Sequence, residues 1–575
     1  MSPSSALNRS FSAGSTAARC ATGAGSWCPT QRVKRPRQEP GHFTICNAIK
    51  QKPATWPRTT RLSSPAWQAP MIAGTPGLQN PQRTLTEPAP KPTYFRSNTT
   101  MSDLRRRELL KHSCVLFGLA ATGCTGHLAS SIPAATAAPW RRAQQIVEGI
   151  QAPVITGRDY DIRAFGARPG AGSDSLPAIK NAIAACNAAG GGRVVVPAGL
   201  WRLDGPIHLQ SDMALHLERG AHIRFSGDRE FYKPLVRTRW EGTEVYNYSP
   251  MIFGNGLRNV AITGPGIIDG QGAANFLPWR KKQKADKNRL RQMGHDGVPV
   301  EQRVFGDGHW LRPQFVQFYN CRQVLIDGPT LIDSPFWVMH LVYCDQAIVR
   351  NVTVNSTHIN SDGVDPDSST NVLIENCNFN VGDDGVAIKS GRDQDGWRVG
   401  RPSRNIVVRN CEYTGNTGGG MAIGSEMSGG VSDVYVENYK IPRSNHALYF
   451  KSNLDRGGNI SNIHIRDIQA ERAASVIIFT NDYHGYRGGN HPPRFENVSI
   501  RNVNCREARV GLHIIGHPRA PVRNIALEDV IIGRAEIPMQ IRDIENLSFD
   551  NVQINGLTQE VVDIKFTEKP VKLRY

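Results

Sequence analysis

The sequence predicts an all-β protein, a right-handed parallel β-helix (a solenoid) with a short N-terminal capping helix. The first reason is a six-residue pattern of aliphatic, any, aliphatic, any, Asn or Asp, aliphatic, which recurs from about residue 259 towards the C terminus. Alternation at period two indicates strands, and an Asn or Asp at the end of a strand turns the backbone. The second reason is an amphipathic segment, residues 178–189, because a helix at the end of a solenoid covers its open core.

The turn residues of eight copies lie 22 to 35 residues apart, which fits one coil made of several short strands and variable loops. They are Asn351, Asn376, Asn410, Asn438, Asp467, Asn502, Asp529 and Asn551. Coils of parallel strands stack about 4.8 Å apart, so these side chains are expected to form a hydrogen-bonded ladder. A β-sandwich of hairpins is the alternative, but the repeated Asn phase and the scarcity of Asn-Gly turns favour the β-helix.

Cysteines recur at fixed places in this repeat. Cys377 and Cys411 each follow a turn Asn, and Cys321 and Cys344 each stand three residues before an aliphatic repeat position. We therefore expect these four residues to be small, buried core side chains with free thiols rather than disulfides.

The positive charge is concentrated at the N terminus. The 575 residues carry a net charge of +18; residues 1–100 contain 13 basic and 2 acidic residues, residues 101–138 contain 4 and 2, and the remainder carries +5. Residues 1–100 are rich in Ser, Thr, Pro and Arg, a composition typical of disorder, and are interpreted as a disordered or spurious extension. A diffuse +5 steers polyanions weakly, so no nucleic-acid partner is expected.

The three parts of an export signal follow Met101. Paired arginines at 105–107 resemble a twin-arginine signal, residues 114–121 are apolar, and small residues at 134–138 predict cleavage near Ala137 or Ala138. The apolar stretch of eight residues is too short to cross a bilayer. The protein is therefore expected to be exported, periplasmic or extracellular, without a membrane span.

These features divide the chain into four parts. Residues 1–100 are the extension, residues 101–138 the export signal, residues 139–157 a linker, and residues 158–575 the β-helix catalytic domain. Residues 276–313 interrupt the repeats with a basic run, and a loop of this length in a compact fold is usually functional or disordered.

Two acidic motifs lie about one coil apart: Asn-Ser-Asp-Gly-Val-Asp from residue 360 and Gly-Asp-Asp-Gly from residue 382. Stacked coils would bring Asp362, Asp383 and Asp384 together. Clustered carboxylates repel one another unless they carry out chemistry or bind a cation, and an acid and a base flanking a glycosidic bond is one such chemistry. The alternative is that these residues cap turns, and for Asp365 and Asp367 the two interpretations are equally open.

Four ordered segments resemble glycoside hydrolase family 28, the polygalacturonase family, over roughly residues 158–560. Residues 360–363 resemble its Asn-Thr-Asp-Gly element and residues 382–385 its Gly-Asp-Asp-Cys element. Residues 418–425 resemble its Gly-His-Gly segment, and residues 449–451, Tyr-Phe-Lys, stand at its Arg-Ile-Lys.

The resemblance implies an inverting hydrolase. Asp383 would be the general acid, Asp362 and Asp384 would hold and deprotonate the attacking water, and Lys451 would pair with a substrate carboxylate. Inversion needs a gap of roughly 6.5–9.5 Å between acid and base for the water, and neighbouring carboxylates raise the pKa of the acid. No metal or other cofactor is expected.

The chain departs from the family pattern at two positions, with Gly419 at the family's His and Tyr449 at its Arg. Tyr449 could instead stack on a sugar ring. The candidates for substrate binding are Lys451, Tyr449, Asn360 and Lys389, with Arg392 and Arg456 as further substitutes for the missing arginine. His446 and His484 either tune the acid or are ordinary loop histidines.

The function expected is a pectin-degrading glycosidase, exo-acting because the interruption at 276–313 could close one end of a groove. Its partner would be a pectic polysaccharide or oligosaccharide of the plant cell wall, and the protein is expected to be a monomer. The alternatives are a calcium-dependent lyase on the same fold, with calcium at the Asp cluster, and a non-catalytic glycan-binding β-helix.

Overall fold

The computed structural model describes residues 134–415 and 417–558, all within one compact unit, Thr122–Tyr575. The expectations for the extension and for most of the export signal lie outside the described residues. The fold is the expected right-handed parallel β-helix, so the predicted fold class is confirmed.

The helices and strands follow one another in a regular order along the chain. The α-helices are α1 Ala134–Gly149, α2 Leu176–Ala188, α3 Gly272–Asn275, α4 Arg280–His295 and α5 Asp393–Val399. The 3-10 turns are Ile162–Phe165, Arg229–Tyr232, Leu277–Trp279 and Val300–Gln302. The strands of the first half are β1 Asp159–Asp161, β2 Gly170–Asp174, β3 Gly192–Val196, β4 Gly199–Leu203, β5 Ile207–His208, β6 Met213–Leu217, β7 Ala221–Phe225, β8 Val236–Trp240, β9 Thr243–Asn247, β10 Ile252–Asn255, β11 Arg258–Thr263, β12 Ile267–Asp269, β13 Val304–Phe305, β14 Val316–Tyr319, β15 Arg322–Asp327 and β16 Thr330–Ile332. The strands of the second half are β17 Met339–Val342, β18 Asp345–Arg350, β19 Thr353–Ser356, β20 Val364–Asp367, β21 Thr370–Glu375, β22 Asn378–Val381, β23 Val386–Ile388, β24 Ser403–Tyr413, β25 Gly419–Ile423, β26 Val431–Lys451, β27 Asn459–Thr480, β28 Arg494–Ile515, β29 Val522–Arg542, β30 Ile544–Ile554 and β31 Leu557–Thr558.

Successive coils stack in register on three faces. The first face runs through β1, β3, β6, β11, β15, β18, β21 and β24, the second through β2, β4, β7, β12, β16, β19 and β22, and the third through β5, β10, β14, β17, β20, β23 and β25. From β26 to β29 single strands of 21 or 22 residues run around all three faces. The aliphatic repeat positions pair across coils, and their side chains fill the interior. One such row is Val324, Ala347, Val372, Ile406 and Val434, each fully buried.

The expected ladder at the turns is present in part, since side-chain hydrogen bonds join three of the seven neighbouring pairs of turn residues. All eight turn residues have φ between 51° and 59°, the left-handed conformation that Asn and Asp tolerate best. Asn438 donates to Asn410 at 2.7 Å, and Asn551 donates to Asp529 at 2.8 Å. The side-chain amides thus connect neighbouring coils along one edge.

The ends and the thiols also follow the predictions. α2 buries Ile179, Ala182, Ile183 and Cys186 against the first coil, as a cap should. Cys321, Cys344, Cys377 and Cys411 are buried free thiols, which confirms the expectation for these four residues. Among the described residues no helix has the length and hydrophobicity needed to cross a membrane.

Residues 139–157, expected to be a linker, are helical as far as Gly149. Ala143, Ile146 and Ile150 pack on a row of outward-facing apolar residues in the first face, and Trp140 meets Tyr435 edge to face. That row is Ala214, Ala261, Leu325, Ile348, Leu373, Val407 and Tyr435. The helix forms because it covers this apolar row, which only the stacked coils create. The first strand, β1, ends at Asp161, since a 3-10 turn begins at Ile162.

The interruption at 276–313, expected as a long loop, is largely helical. Its main element, α4, is rich in Lys, Arg and Gln, which favour helix. Its buried residues, Gln283, Asp286, Leu290 and Gly294, lie on one face at spacings of three and four. Three of these four are not apolar, so hydrophobic periodicity alone did not reveal the helix.

Candidate active site

Register explains why the acidic motifs meet. Val364 of β20 pairs with Val386 of β23, so Asp362 and Asp384, each two residues earlier, occupy the same position in adjacent coils. The backbone N–H of Gly363 donates to the carbonyl of Asp384 at 2.9 Å, which fixes this alignment at the start of the third face. Asp383 directly precedes Asp384 and lies beside the pair.

Carboxylate oxygens of Asp362, Asp383 and Asp384 lie within 4.8 Å of one another. Asp362 is 3% exposed and Asp384 is 1% exposed, whereas Asp383 is half-buried. The nearest oxygens are therefore closer than the roughly 6.5–9.5 Å gap expected between the acid and base groups of an inverting enzyme. The structure brings the three predicted residues together, and it makes a tighter cluster than the sequence argument assumed.

Each carboxylate of the trio has a different set of partners. Asp384 accepts from the ammonium of Lys451 at 2.5 Å and from the backbone N–H of Gly419 at 2.8 Å. Asp383 accepts from the backbone N–H of Asn360 at 3.2 Å. Asp362 lies 3.6 Å from the ammonium of Lys389.

These surroundings raise the pKa of two members of the trio. Burial and the adjacent Asp384 raise the pKa of Asp383 to about 6, against the opposing effect of Lys451. Burial, together with Asp383 and Asp365, raises the pKa of Asp362 well above its ordinary value. Asp384, by contrast, is held as an acceptor by two donors. The cluster thus contains a carboxyl that keeps its proton to a higher pH than an ordinary aspartate, beside one that accepts two hydrogen bonds.

Behind the trio lies a buried ionic network centred on Lys389. Its ammonium is 3.3 Å from Asp365, 3.5 Å from Glu426 and 3.6 Å from Asp362, and it sits 4.4 Å from the centre of the Trp337 ring. Lys389, predicted to bind substrate, is therefore directed at protein carboxylates, although it lines the cavity. Burial alone would lower the pKa of Lys389, but the three carboxylates outweigh it and raise that pKa.

Asp365 and Asp367 belong to the same buried layer and do not cap turns. Both lie within β20, and Asp367 accepts from Arg239 at 2.8 Å and contacts His340 at 3.2 Å. Burial raises the pKa of Asp365 to about 8, with Lys389 opposing. Neither lines the cavity, so both support the trio from behind.

The trio lies at the base of a cavity of about 1080 Å³. The predicted residues Asn360, Lys389, Tyr449 and Lys451 line it, as do the further candidates Arg392, Arg456, His446 and His484. Trp337 and Tyr483 add aromatic rings to the wall. α4 contributes a set of basic side chains, which the sequence analysis noted as a basic run without assigning them a role.

The two departures from the family pattern are neighbours in space. A Cβ atom at Gly419 would lie 3.0 Å from Oδ1 of Asp384 and 3.4 Å from Cβ of Tyr449, so a side chain here would crowd both. His446 of β26 pairs with Gly419 one coil later and lines the cavity, with its ring 4.2 Å from that of Tyr449. Burial and Lys451 lower the pKa of His446 to about 3, so it enters the site as a neutral ring.

Arg312, which no sequence pattern singled out, is fully buried and bonds to Asn360. Its guanidinium donates to Oδ1 of Asn360 at 2.7 Å and to Oε1 of Gln283 at 3.0 Å. Burial lowers the pKa of Arg312 to about 10. Because Asn360 in turn donates to Asp383, a chain of hydrogen bonds connects α4 to the carboxyl. A single arginine after an irregular segment carries no sequence signal for such a role.

The geometry of the trio suits proton transfer, and three carboxylates this close could also hold a cation. Comparison with known proteins distinguishes these possibilities. A family model described as "Glycosyl hydrolases family 28" matches residues 186–549. The chain shares 39% identity and a TM-score of 0.71 with an exopolygalacturonase from Thermotoga maritima, over 73% of this chain and 96% of that one.

Curated relatives agree with this match. An endo-polygalacturonase of Pectobacterium carotovorum subsp. carotovorum is 27% identical over 351 residues, which are 58% of this chain and 78% of that protein. An exo-poly-alpha-D-galacturonosidase of Dickeya chrysanthemi is 25% identical over 451 residues, 69% of this chain and 71% of that protein.

The fold, the cluster and these matches define the protein as a glycoside hydrolase. The chain belongs to glycosyl hydrolases family 28, which confirms the family resemblance found in the sequence. Membership favours hydrolysis over the lyase and the non-catalytic alternatives.

Proposed function

We propose that the protein is an exo-acting, inverting hydrolase of galacturonate-containing pectic polysaccharides and oligosaccharides. The observation that carries this is Asp383, a carboxyl with a pKa of about 6, set between Asp362 and Asp384 in a cavity with basic walls. The similar proteins described as polygalacturonases support the substrate class, and the Thermotoga maritima exopolygalacturonase supports the exo mode.

In this mechanism Asp383 gives its proton to the glycosidic oxygen as the bond from that oxygen to the anomeric carbon breaks. A water held by Asp362 and Asp384 attacks the anomeric carbon from the opposite side and passes a proton to Asp384. The products are a reducing sugar of inverted configuration and a chain with a free hydroxyl. Asp384 then releases its proton to solvent and Asp383 takes up a proton from solvent, so that both carboxyls return to their starting states.

Substrate contacts follow from the donors that remain in the cavity. A lysine ammonium has three N–H groups, and Lys451 uses one on Asp384, so the others are available for a uronate carboxylate. Tyr449, whose ring lies 4.8 Å from this ammonium, offers a face for a sugar ring. Asn360 would position the chain end through its contact with Asp383. We assign Lys389 to holding Asp362 rather than to the substrate.

Exo action is supported by the way the cavity is walled. The side chain of Arg487, in the loop after β27, donates to Gln292 of α4 at 2.6 Å. Both elements line the cavity, through Tyr483 and His484 on one side and the basic face of α4 on the other. A contact between the two walls hinders a long polymer from lying across the site.

Product analysis on polygalacturonate tests this proposal. We expect short products to accumulate while viscosity falls slowly, and nuclear magnetic resonance to show inversion at the new reducing end. Asp383→Asn should reduce kcat by about four orders of magnitude while leaving binding and the melting temperature unchanged, since the acid is lost without a change of shape. A rapid fall in viscosity would indicate endo action. A retained configuration would exclude direct attack of water on the anomeric carbon. An undiminished rate in the variant would exclude Asp383 as the acid.

We further propose that residues 101–138 direct export by a twin-arginine-type signal, that residues 1–100 are absent from the mature protein, and that the exported protein works as a monomer in the periplasm or outside the cell. The support is the composition of these segments and the expected location of a pectic substrate. Intact-mass measurement of the protein recovered outside the cytoplasm tests the cleavage near Ala137 or Ala138. An N terminus at Met1 would overturn this proposal.

A further inference from the structure

One face of α4 carries a row of basic side chains directed at the cavity. Arg280, Lys284, Lys287 and Arg291 follow one another at spacings of four, three and four residues, and all four line the cavity. Such spacing places side chains on one face of a helix. At 1.5 Å per residue the row is about 16 Å long, enough to contact more than one sugar.

Three members of this row have no acidic partner. Arg291 pairs with Glu241 at 2.6 Å, whereas Arg280, Lys284 and Lys287 have no carboxylate within 4.0 Å among residues 134–415 and 417–558. Like charges three or four residues apart destabilise a helix. The fold does not need them, because α4 is anchored by the neighbouring face of the helix, through Gln283, Asp286 and Leu290.

The wider charge of the cavity points to an anionic occupant. Its walls contain nine Lys or Arg and five Asp or Glu. Of the acidic residues, Glu426 is paired with Arg392 and Lys389, and Glu241 with Arg291. Arg280, Lys284 and Lys287 therefore remain without a paired carboxylate in the described part of the chain, and a cleft with an excess of one sign of charge attracts ligands of the other.

We propose that Lys284 and Lys287 form a second carboxylate-binding site, which holds the uronic acid adjacent to the sugar that is cleaved. This inference rests on the proposed function and adds to it the requirement for two neighbouring acidic sugars. Lys287 is half-buried and Lys284 is exposed. Glu241 favours the charged form of Lys287, but burial together with Arg291 and Arg392 lowers its pKa. An added carboxylate would relieve this crowding of positive charge.

The matching substrate is a stretch of unesterified uronic acids. Methyl esters, or neutral sugars alternating with acidic ones, would leave the two lysines without a partner. Lys284 and Lys287 thus select for the charge pattern of the polysaccharide, independently of the proton transfer at Asp383.

The test compares Lys284→Gln/Lys287→Gln with Lys282→Gln. Lys282 lies on the same helix, stacks on Trp310 at 3.9 Å and does not line the cavity, so it controls for loss of charge alone. Calorimetry would measure the binding of trigalacturonate and of its fully methyl-esterified form to proteins that also carry Asp383→Asn. Steady-state hydrolysis of trigalacturonate would be measured with Asp383 intact.

We expect the double variant to raise Kd and KM for trigalacturonate about tenfold or more, as loss of charged hydrogen bonds should, with kcat and ester binding unchanged. Lys282→Gln should change each value less than twofold, and Lys284→Arg/Lys287→Arg should restore affinity. Unchanged trigalacturonate affinity in the double variant overturns the inference. If trigalacturonate binding depends on the two lysines but the parent enzyme does not hydrolyse trigalacturonate, the proposed function is overturned and the inference about this site remains.

Discussion

Asp383 shows how neighbouring residues give one aspartate a different task from the next. Burial and Asp384 stabilise its protonated form, while Lys451 and the N–H of Gly419 hold Asp384 as an acceptor. Two adjacent residues in the sequence thus have different surroundings: burial and a neighbouring carboxylate raise the pKa of Asp383, whereas Asp384 accepts hydrogen bonds from an ammonium and a backbone N–H.

The pH dependence of the reaction tests the proposed role of Asp383 as the general acid. A general acid works only while it carries its proton, so kcat/KM should fall as the pH rises through about 6 and then drop about tenfold per pH unit. Initial rates between pH 4 and pH 8 at constant ionic strength test this. A decline centred near 4, the ordinary range of an aspartate, would contradict the assignment.

Position 419 lies so close to the carboxylate of Asp384 that a side chain larger than hydrogen would crowd it. In Gly419→Ala the new Cβ would lie 3.0 Å from Oδ1 of Asp384. It would displace this oxygen from the backbone N–H of residue 419, from which the oxygen accepts a hydrogen bond. A charged hydrogen bond contributes about 1.5–3 kcal/mol, so we expect kcat to fall about 10- to 100-fold with little change in melting temperature. Gly172→Ala is the matched control, because a Cβ there meets no atom within 4 Å. Equal rates for both variants would show that Asp384 tolerates displacement.

At the scale of elements, the turns and α4 set the positions of these side chains. The turn residues adopt left-handed φ values in every repeat, and side-chain amides join several of them to the neighbouring coil, which helps to fix the register of the strands. That register places Asp362 and Asp384 side by side. α4 covers the same edge and reaches Asp383 through Gln283, Arg312 and Asn360.

Asn438 offers a test of the ladder. Ala at this φ of 51° costs roughly 1–2 kcal/mol, and the lost bond to Asn410 costs about another 1 kcal/mol. We expect Asn438→Ala to lower the free energy of unfolding by about 2 kcal/mol or more in chemical denaturation. Asn438→Gly, which keeps the backbone conformation but loses the bond, should lose less. An equal loss in the two variants would mean that φ makes no contribution here.

For the whole molecule, the decisive feature is a groove closed by basic walls around an acidic centre. Lys451 and Lys389 already place positive charge 2.5 Å from Asp384 and 3.6 Å from Asp362. These ammonium groups supply the charge balance that a bound cation would otherwise give to the cluster.

Removal of metal ions should therefore leave the activity intact. We expect the rate on polygalacturonate to change less than twofold after exhaustive treatment with a chelator, and no ultraviolet-absorbing unsaturated product to form. Loss of activity that calcium restores would instead indicate a cation at the Asp cluster and a lyase-like mechanism.

Much of the fold and part of the site could be predicted from the sequence. The repeat predicted the β-helix, its turns and its buried thiols, because each is a local pattern copied from coil to coil. Spacing of about one coil between Asp362 and Asp383 predicted the cluster. Patterns of this kind carry no signal for Arg312 or Glu426, and the basic run in residues 276–313 was visible without any indication that it lines the cavity, because these contacts join segments far apart in the chain.

The sequence by itself determined the coil, since alternating aliphatic residues and a left-handed Asn or Asp at each corner leave the backbone few other ways to bury its apolar side. Only the tertiary structure decided which charged groups meet. It placed Lys389 among three carboxylates, Lys451 on Asp384, and α4 over the groove. Such pairings depend on distances of a few ångströms between coils and across an insertion, and no local periodicity specifies those distances.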